Sequence, residues 1–196
     1  MKRIVILGLL ICLYAAASAQ SQQTIIKTEA LKMAKALAAM DLETYASFSW
    51  PELVSDPKNK QRIKIIADSA DKYRKQFNIK VKSIVIGNPS EVVTHKGVMQ
   101  CTIPQTVAVE AMMGSLETET TLIALSKDGK KWYFVDANLY KNSETKAKLP
   151  ELSPQLVIPP LKIPVLKGAD GKEIGFVQRT FGRKTIPKAK NRNSRS

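Results

Sequence analysis

Residues 57–86 read PKNKQRIKIIADSADKYRKQFNIKVKSIVI, and the hydrophobic period changes inside them. Ile63, Ile66, Ala70, Tyr73 and Phe77 recur every three or four residues, the spacing of one face of an α-helix. From Ile79 the period drops to two. Ile79, Val81, Ser83 and Val85 alternate with Lys80, Lys82, Ile84 and Ile86, as in a strand. Asp56-Pro57 opens the helix, with proline at an early position where its missing N–H costs nothing. Lys60, Arg62, Lys64, Lys72 and Lys75 occupy the other faces and read as solvated surface. The chain thus passes from a helical part to a stranded part near residue 78.

Upstream, Thr24 to Phe48 reads as helix, with Leu31, Ala34, Ala38, Leu42 and Tyr45 as its apolar stripe. Asp41 re-caps the chain after Met40, and Trp50-Pro51 ends the segment because a residue before proline is pushed out of the α region. Downstream, Gly87-Asn88-Pro89-Ser90 is a turn, Glu91–His95 a short strand and Lys96-Gly97 a reversal. Val98–Glu110 is a long strand that Pro104 is expected to interrupt. Leu116–Ser126 follows, then Asp128-Gly129 as a hairpin signal, then Trp132–Ala137 to close the sheet. Ile63, Ile66, Tyr73, Leu122 and Trp132 are expected to share one core.

Past Asn138 the composition changes. Pro150, Pro154, Pro159, Pro160 and Pro164 make an extended segment, and its Leu156, Val157, Ile158, Leu161, Ile163 and Val165 are too apolar for a free linker. Part of it should therefore lie along the domain. Gly168-Ala169-Asp170-Gly171 is a turn toward Ile174–Val177.

The chain has 196 residues, 44% of them hydrophobic, with 31 Lys+Arg against 17 Asp+Glu and a net charge of +14. That suits one domain with a real core plus a tail. Residues 162–196 carry +8, whereas 20–161 carry only +4. Residues 185–196 hold Lys188, Lys190, Arg192 and Arg195 with no acid, and read as a disordered basic tail.

Met1–Ala19 reads as a secretory signal peptide: Lys2 and Arg3, the apolar run Ile4–Ala16, then Ala17-Ser18-Ala19 before a cleavage ahead of Gln20. A lipobox at Leu9-Leu10-Ile11-Cys12 is the rival, but Ile11 is not small. Cleavage removes Cys12, so Cys101 cannot form an internal disulfide and reads as a buried thiol.

The expected fold is α+β: N-terminal helices packed on a curved, cone-like antiparallel sheet, with a Pro-rich, basic C-terminal extension. The expected boundaries are 1–19 for the signal peptide, 24–140 for the domain, 141–184 for the partly docked extension and 185–196 for the tail. Ala36–Phe48 (helix, small break, acidic cap, aromatic) and the late strand Lys131–Asp136 resemble exported bacterial members of the nuclear-transport-factor-2-like, or ketosteroid-isomerase-like, cone-fold superfamily. The resemblance spans about Thr24 to Tyr140. Such folds host isomerases, dehydratases and binding modules, so function rests on the site.

The resemblance implies a carboxylate base with acidic or phenolic donors inside the cone. Asp136 is the candidate acid/base, with Tyr45 and Tyr73 as its companions. Its other reading is a strand-end carboxylate that caps a turn. His95, the chain's one histidine, stands before a Lys-Gly turn and reads as exposed. Val107, Val109, Leu122, Ala124 and Tyr133 are the expected lining of an apolar cavity, which favours ligand binding or a filled core over chemistry. The sequence carries no phosphate loop, metal-spaced His/Cys cluster or nucleophile elbow, and no cofactor is expected.

The leading expectation is an exported non-catalytic domain that binds a small apolar ligand or an envelope protein. An isomerase or dehydratase using Asp136 and a structural adaptor working through the Pro-rich segment are the alternatives. The tail adds attraction to an anionic surface, with no specific nucleic acid as partner.

Overall fold

The computed structural model describes residues 22–174 except 56, 113, 161 and 169. The expected signal peptide, Cys12, the capping role of Asp56, the strand residues beyond Ile174 and the basic tail lie outside the described residues.

The helical part has four pieces: α1 (22–38), α2 (Leu42–Ser47), α3 (Pro51–Val54) and α4 (Pro57–Phe77). Met40 takes a left-handed backbone (φ 58°), and the Asp41 carboxylate accepts the Thr44 N–H at 3.0 Å, so α1 stops and α2 restarts as its sequence dictates. Pro51 does more than end a helix. It stands at the first position of α3, where a missing N–H is harmless.

The strands are β1 (Lys80–Ile86), β2 (Val93–His95), β3 (Val98–Ala111), β4 (Gly114–Ser126), β5 (Tyr133–Asp136), β6 (Val165–Lys167) and β7 (Glu173–Ile174). They form one antiparallel sheet around the β3–β4 hairpin, paired without a shift from Met99↔Ser126 to Ala111↔Gly114. β1 and β2 share the outer edge of β3, at opposite ends. β5 and β6 share the outer edge of β4 in the same way, and β7 follows β6.

Pro104 does not interrupt β3; it stays in register opposite Thr121. The Gly87 N–H donates to the Pro104 carbonyl at 2.8 Å, so the proline nitrogen faces the gap between β1 and β2, where no ladder partner is needed. A Cβ on Gly87 would come within 3.1 Å of the proline ring, so glycine lets that turn close.

The sheet separates two apolar clusters. On one face Ile26, Ala30, Met33 and Ala34 of α1 pack on Ile86, Cys101, Ile103, Leu122, Ala124, Trp132 and Phe134. On the other, Val98, Ile123, Leu125, Val135 and Ala137 meet Trp50 and, from the C-terminal segment, Leu149, Leu152 and Leu156. That segment includes a 3-10 turn (Leu139–Lys141) and α5 (Ser143–Ala147). Among the described residues, no helix is long and apolar enough to cross a membrane.

Two core expectations are corrected. Leu122 and Trp132 are buried, but Ile66 is 56% exposed, Tyr73 is 54% exposed, and Ile63 is only half-buried. In α1 the buried stripe is Ile26, Ala30, Met33 and Ala34, while Leu31 and Ala38 face out. The causes differ: α1 does cover the sheet, through a face rotated from the expected stripe, whereas α4 packs elsewhere. Periodicity shows that a helix has an apolar side, but it does not say which helix the sheet takes. Here α1 covers the sheet, and α4 lies against α2 and α3.

Candidate functional site

Asp136 ends β5, on the α1 face with Phe134 and opposite Leu122. Its Oδ1 accepts the Asn138 N–H at 2.8 Å, so the carboxylate caps the turn that leaves the sheet. Tyr45 is brought near it because the Phe134 N–H donates to the Phe48 carbonyl at 2.8 Å, which ties the end of α2 to β5. Burial, and then the Asp136 charge, push the Tyr45 phenol above its ordinary pKa. The phenol is therefore neutral at physiological pH and fit to donate a hydrogen bond, not to act as a base. No hydrogen bond joins Tyr45 to Asp136 among the described residues.

Tyr73 does not join this pair. It stands on the exposed side of α4, with its ring stacked on Phe77 at 6.2 Å between centroids.

The five expected lining residues do not converge either. Leu122 and Ala124 are buried in the α1-side core. Val107 pairs with Thr118, four residues along β4 from Leu122, so it and Val109 lie about 13 Å or more up the hairpin. Tyr133 faces the opposite side, edge-on to Trp50 with ring centroids 5.5 Å apart. α1 fills the space that a cone would leave open. One-residue parity decides Tyr133 alone, whereas Val107 and Val109 share the face of Leu122 and Ala124 and are set apart by distance along the hairpin.

Cys101 and His95 also lie on opposite faces. Cys101 is in the α1-side core, where burial pushes its thiol up to about 12. His95 pairs with Val98 on the other face. Its Nε2 lies 3.3 Å from Glu151 Oε1, and Lys96 bonds the other Glu151 oxygen. His95 is thus a tether for the C-terminal segment. No cluster of three or more His, Cys, Asp or Glu residues suited to a metal occurs among the described residues.

The C-terminal segment makes a cleft that sequence reasoning missed. The buried Gln100 side chain donates from Nε2 to the Glu151 carbonyl at 2.8 Å and accepts the Ser153 N–H at 2.9 Å. The chain then runs past Pro159 and Pro160 to pair as β6 with β4. Between this strap and the sheet lies a cleft of about 300 Å³. Pro104, Ala137, Ile158 and Pro160 give it apolar walls, Thr102 and Thr121 line it with polar side chains, and Lys141 is also in the lining. Glu119 and Lys162 line the cleft as well, and the Lys162 ammonium pairs with the Glu119 carboxylate. The walls come from segments some 20 to 60 residues apart, so no local motif could have revealed them. A wider groove of about 950 Å³ separates α2 and α3 from α4, lined by Ala46, Val54, Ile63 and Ala67 with Lys60 and Asp68. Neither cleft is lined by Asp136, Tyr45 or Tyr73.

Searches of family models, of curated proteins and of solved structures found no match to this chain.

Proposed function

We propose that the chain is an exported, non-catalytic binding domain that takes a small apolar ligand with an acidic end in the cleft beneath Pro159 and Pro160. The observation that carries this reading is the cleft itself. Its size falls at the lower end of the range for small-molecule sites, about 300–1,000 Å³. Its strap is stiff, because proline fixes its own φ. Its walls are apolar, and Lys141 offers a cation to a carboxylate or sulfonate. Export rests on the leader in residues 1–19, and the relation to the cone-fold superfamily on the order of helices and strands.

A fluorescence titration with anilinonaphthalene sulfonate, an apolar anion, tests the reading. Thr121→Trp, which fills the cleft, should abolish binding, and Lys141→Glu should weaken it. Equal binding by the parent and the Thr121→Trp chain would defeat the proposal. Asp136→Asn should leave dye affinity nearly unchanged; a proton-transfer activity lost in that variant would instead favour the isomerase or dehydratase reading.

A second reading has its own support. Val157 and Ile163 of the strap are 76% and 66% exposed, which suits contact with an envelope protein. Val157→Asp with Ile163→Asp would remove that contact while leaving dye binding intact.

A further inference from the structure

α4 carries an apolar stripe that no described part of the chain covers. Residues seven and eleven apart on a helix lie nearly in line, at about 100° per residue. Ile66, Tyr73 and Phe77 have this spacing and are all exposed. The stripe runs about 16 Å along the axis. The half-buried residues Ile63, Ala67, Ala70 and Arg74 form the neighbouring arc, so the stripe borders the packed side of α4.

The helix that carries the stripe is also strongly basic. α4 holds seven bases, namely Lys58, Lys60, Arg62, Lys64, Lys72, Arg74 and Lys75, and two acids, Asp68 and Asp71. Asp68 stands two residues from Ile66 and Asp71 five, which puts both on the far side of the helix from the stripe. Asp71 is further occupied by Arg74 and Lys75, at 2.8 and 2.7 Å. Arg62 flanks the stripe itself, about 40° round the helix from Ile66. The stripe thus has the packed side on one edge and Arg62 on the other, with no acid of α4 beside it.

We propose that α4 is a docking face for an anionic phospholipid bilayer, lying in the interface plane with Ile66, Tyr73 and Phe77 inserted and Arg62 on the headgroup phosphates. A strongly basic helix with aromatic and aliphatic residues along one exposed stripe has the pattern of helices that lie on a membrane. Tyrosine suits this depth, because its ring is apolar and its hydroxyl polar. A bilayer also accepts a convex ridge with no matching pocket. A second copy of the chain fits less well, since a two-fold interface would set one basic helix face against another. Residues 175–196 fit no better, as they carry seven bases and no acid. A nucleic acid would leave the apolar side chains with nothing to bury against.

The test uses the full chain with vesicles of phosphatidylcholine, with and without phosphatidylglycerol. Tyr73→Trp supplies the probe, because Trp50 and Trp132 are both buried. The emission of this variant should shift to the blue on vesicles containing phosphatidylglycerol, be quenched by brominated lipid tails, and change little on phosphatidylcholine alone. Ile66→Ser with Phe77→Ser should abolish co-sedimentation while leaving the thermal melt unchanged. Arg62→Glu should weaken partition, at about fivefold for each basic residue lost near the surface. Since these variants keep the basic tail, a loss is assigned to α4. The proposal is overturned if the emission of the Tyr73→Trp chain does not move, if the stripe variants sediment with vesicles as the parent does, or if sedimentation shows a dimer that the Ile66→Ser, Phe77→Ser chain no longer forms.

Discussion

The side-chain amide of Gln100 donates to the main-chain carbonyl of Glu151 at 2.8 Å, across fifty-one residues of chain. Its oxygen accepts the Ser153 N–H, so one buried side chain satisfies two main-chain groups as a paired strand would. Leucine at this site would leave both without their partner. Gln100→Leu should cost about 1–3 kcal/mol, chiefly for the buried Ser153 N–H stripped of its bond. A urea titration of parent and variant measures this. A loss below about 0.5 kcal/mol, ordinary for surface changes, would show that the clamp is not needed.

Acid should loosen the same junction. Lys96, and after it His95, hold the Glu151 carboxyl below its ordinary pKa. A carboxyl with a lower pKa folded than unfolded adds stability that is fully present above the unfolded value, about 4.3, and lost as pH falls through the folded one. Exchange of the Ser153 amide should therefore quicken as pH is lowered from about 5 toward 3, after correction for intrinsic exchange. Glu151→Gln should flatten that response. Asp41, Asp71 and Asp128 are also held low, so the informative quantity is the difference between variant and parent. An identical pH profile in the two chains would count against the tether.

Cys101 should be silent toward thiol reagents. With its pKa pushed up to about 12, the reactive thiolate is scarce at pH 8, and the sulfur is enclosed by the core. A chain beginning at Gln20 should release no colour with a disulfide reagent until it unfolds. Rapid labelling of the folded chain would mean that α1 opens readily.

Packing predicts a contrast between two aliphatic positions. Leu122→Ala should cost about 2–5 kcal/mol, as for other fully buried leucines. Ile66→Ala should cost less than about 0.5 kcal/mol, because its side chain already meets water. Thermal or urea melts of the two variants separate them. A large loss at Ile66 would place α4 in the core after all.

Legibility followed the range of the forces involved. Asp41 as a cap, the change of period near residue 78 and the Asp128-Gly129 turn depend on neighbours within a few residues, and each was readable. α5 was readable but missed: the Asn142 side chain caps the Glu144 and Thr145 N–H groups, and Asn-Ser-Glu is a start signal that polarity alone obscured. The choice between α1 and α4 as the helix on the sheet was not readable, because both are amphipathic and only three-dimensional fit decides. Asp136 was placed on its strand correctly, and its turn-capping reading matches the bond to Asn138. The strap cleft depends on Gln100 meeting Glu151, and a single glutamine inside a strand pattern announces no such partner.

The β3–β4 hairpin has one continuous ladder but two unequal environments. From Met99 to Ile103 and from Leu122 to Ser126 it is covered on both faces, whereas no described residue of 106–111 or 114–121 is buried. Identical main-chain pairing is thus backed by different amounts of dehydrated side chain. The two ends should open with different free energies, the far end by local excursions and the near end only with the whole domain. Under load or in mild denaturant, the hairpin would peel from its tip and leave the two-sided end as the last cooperative unit to melt.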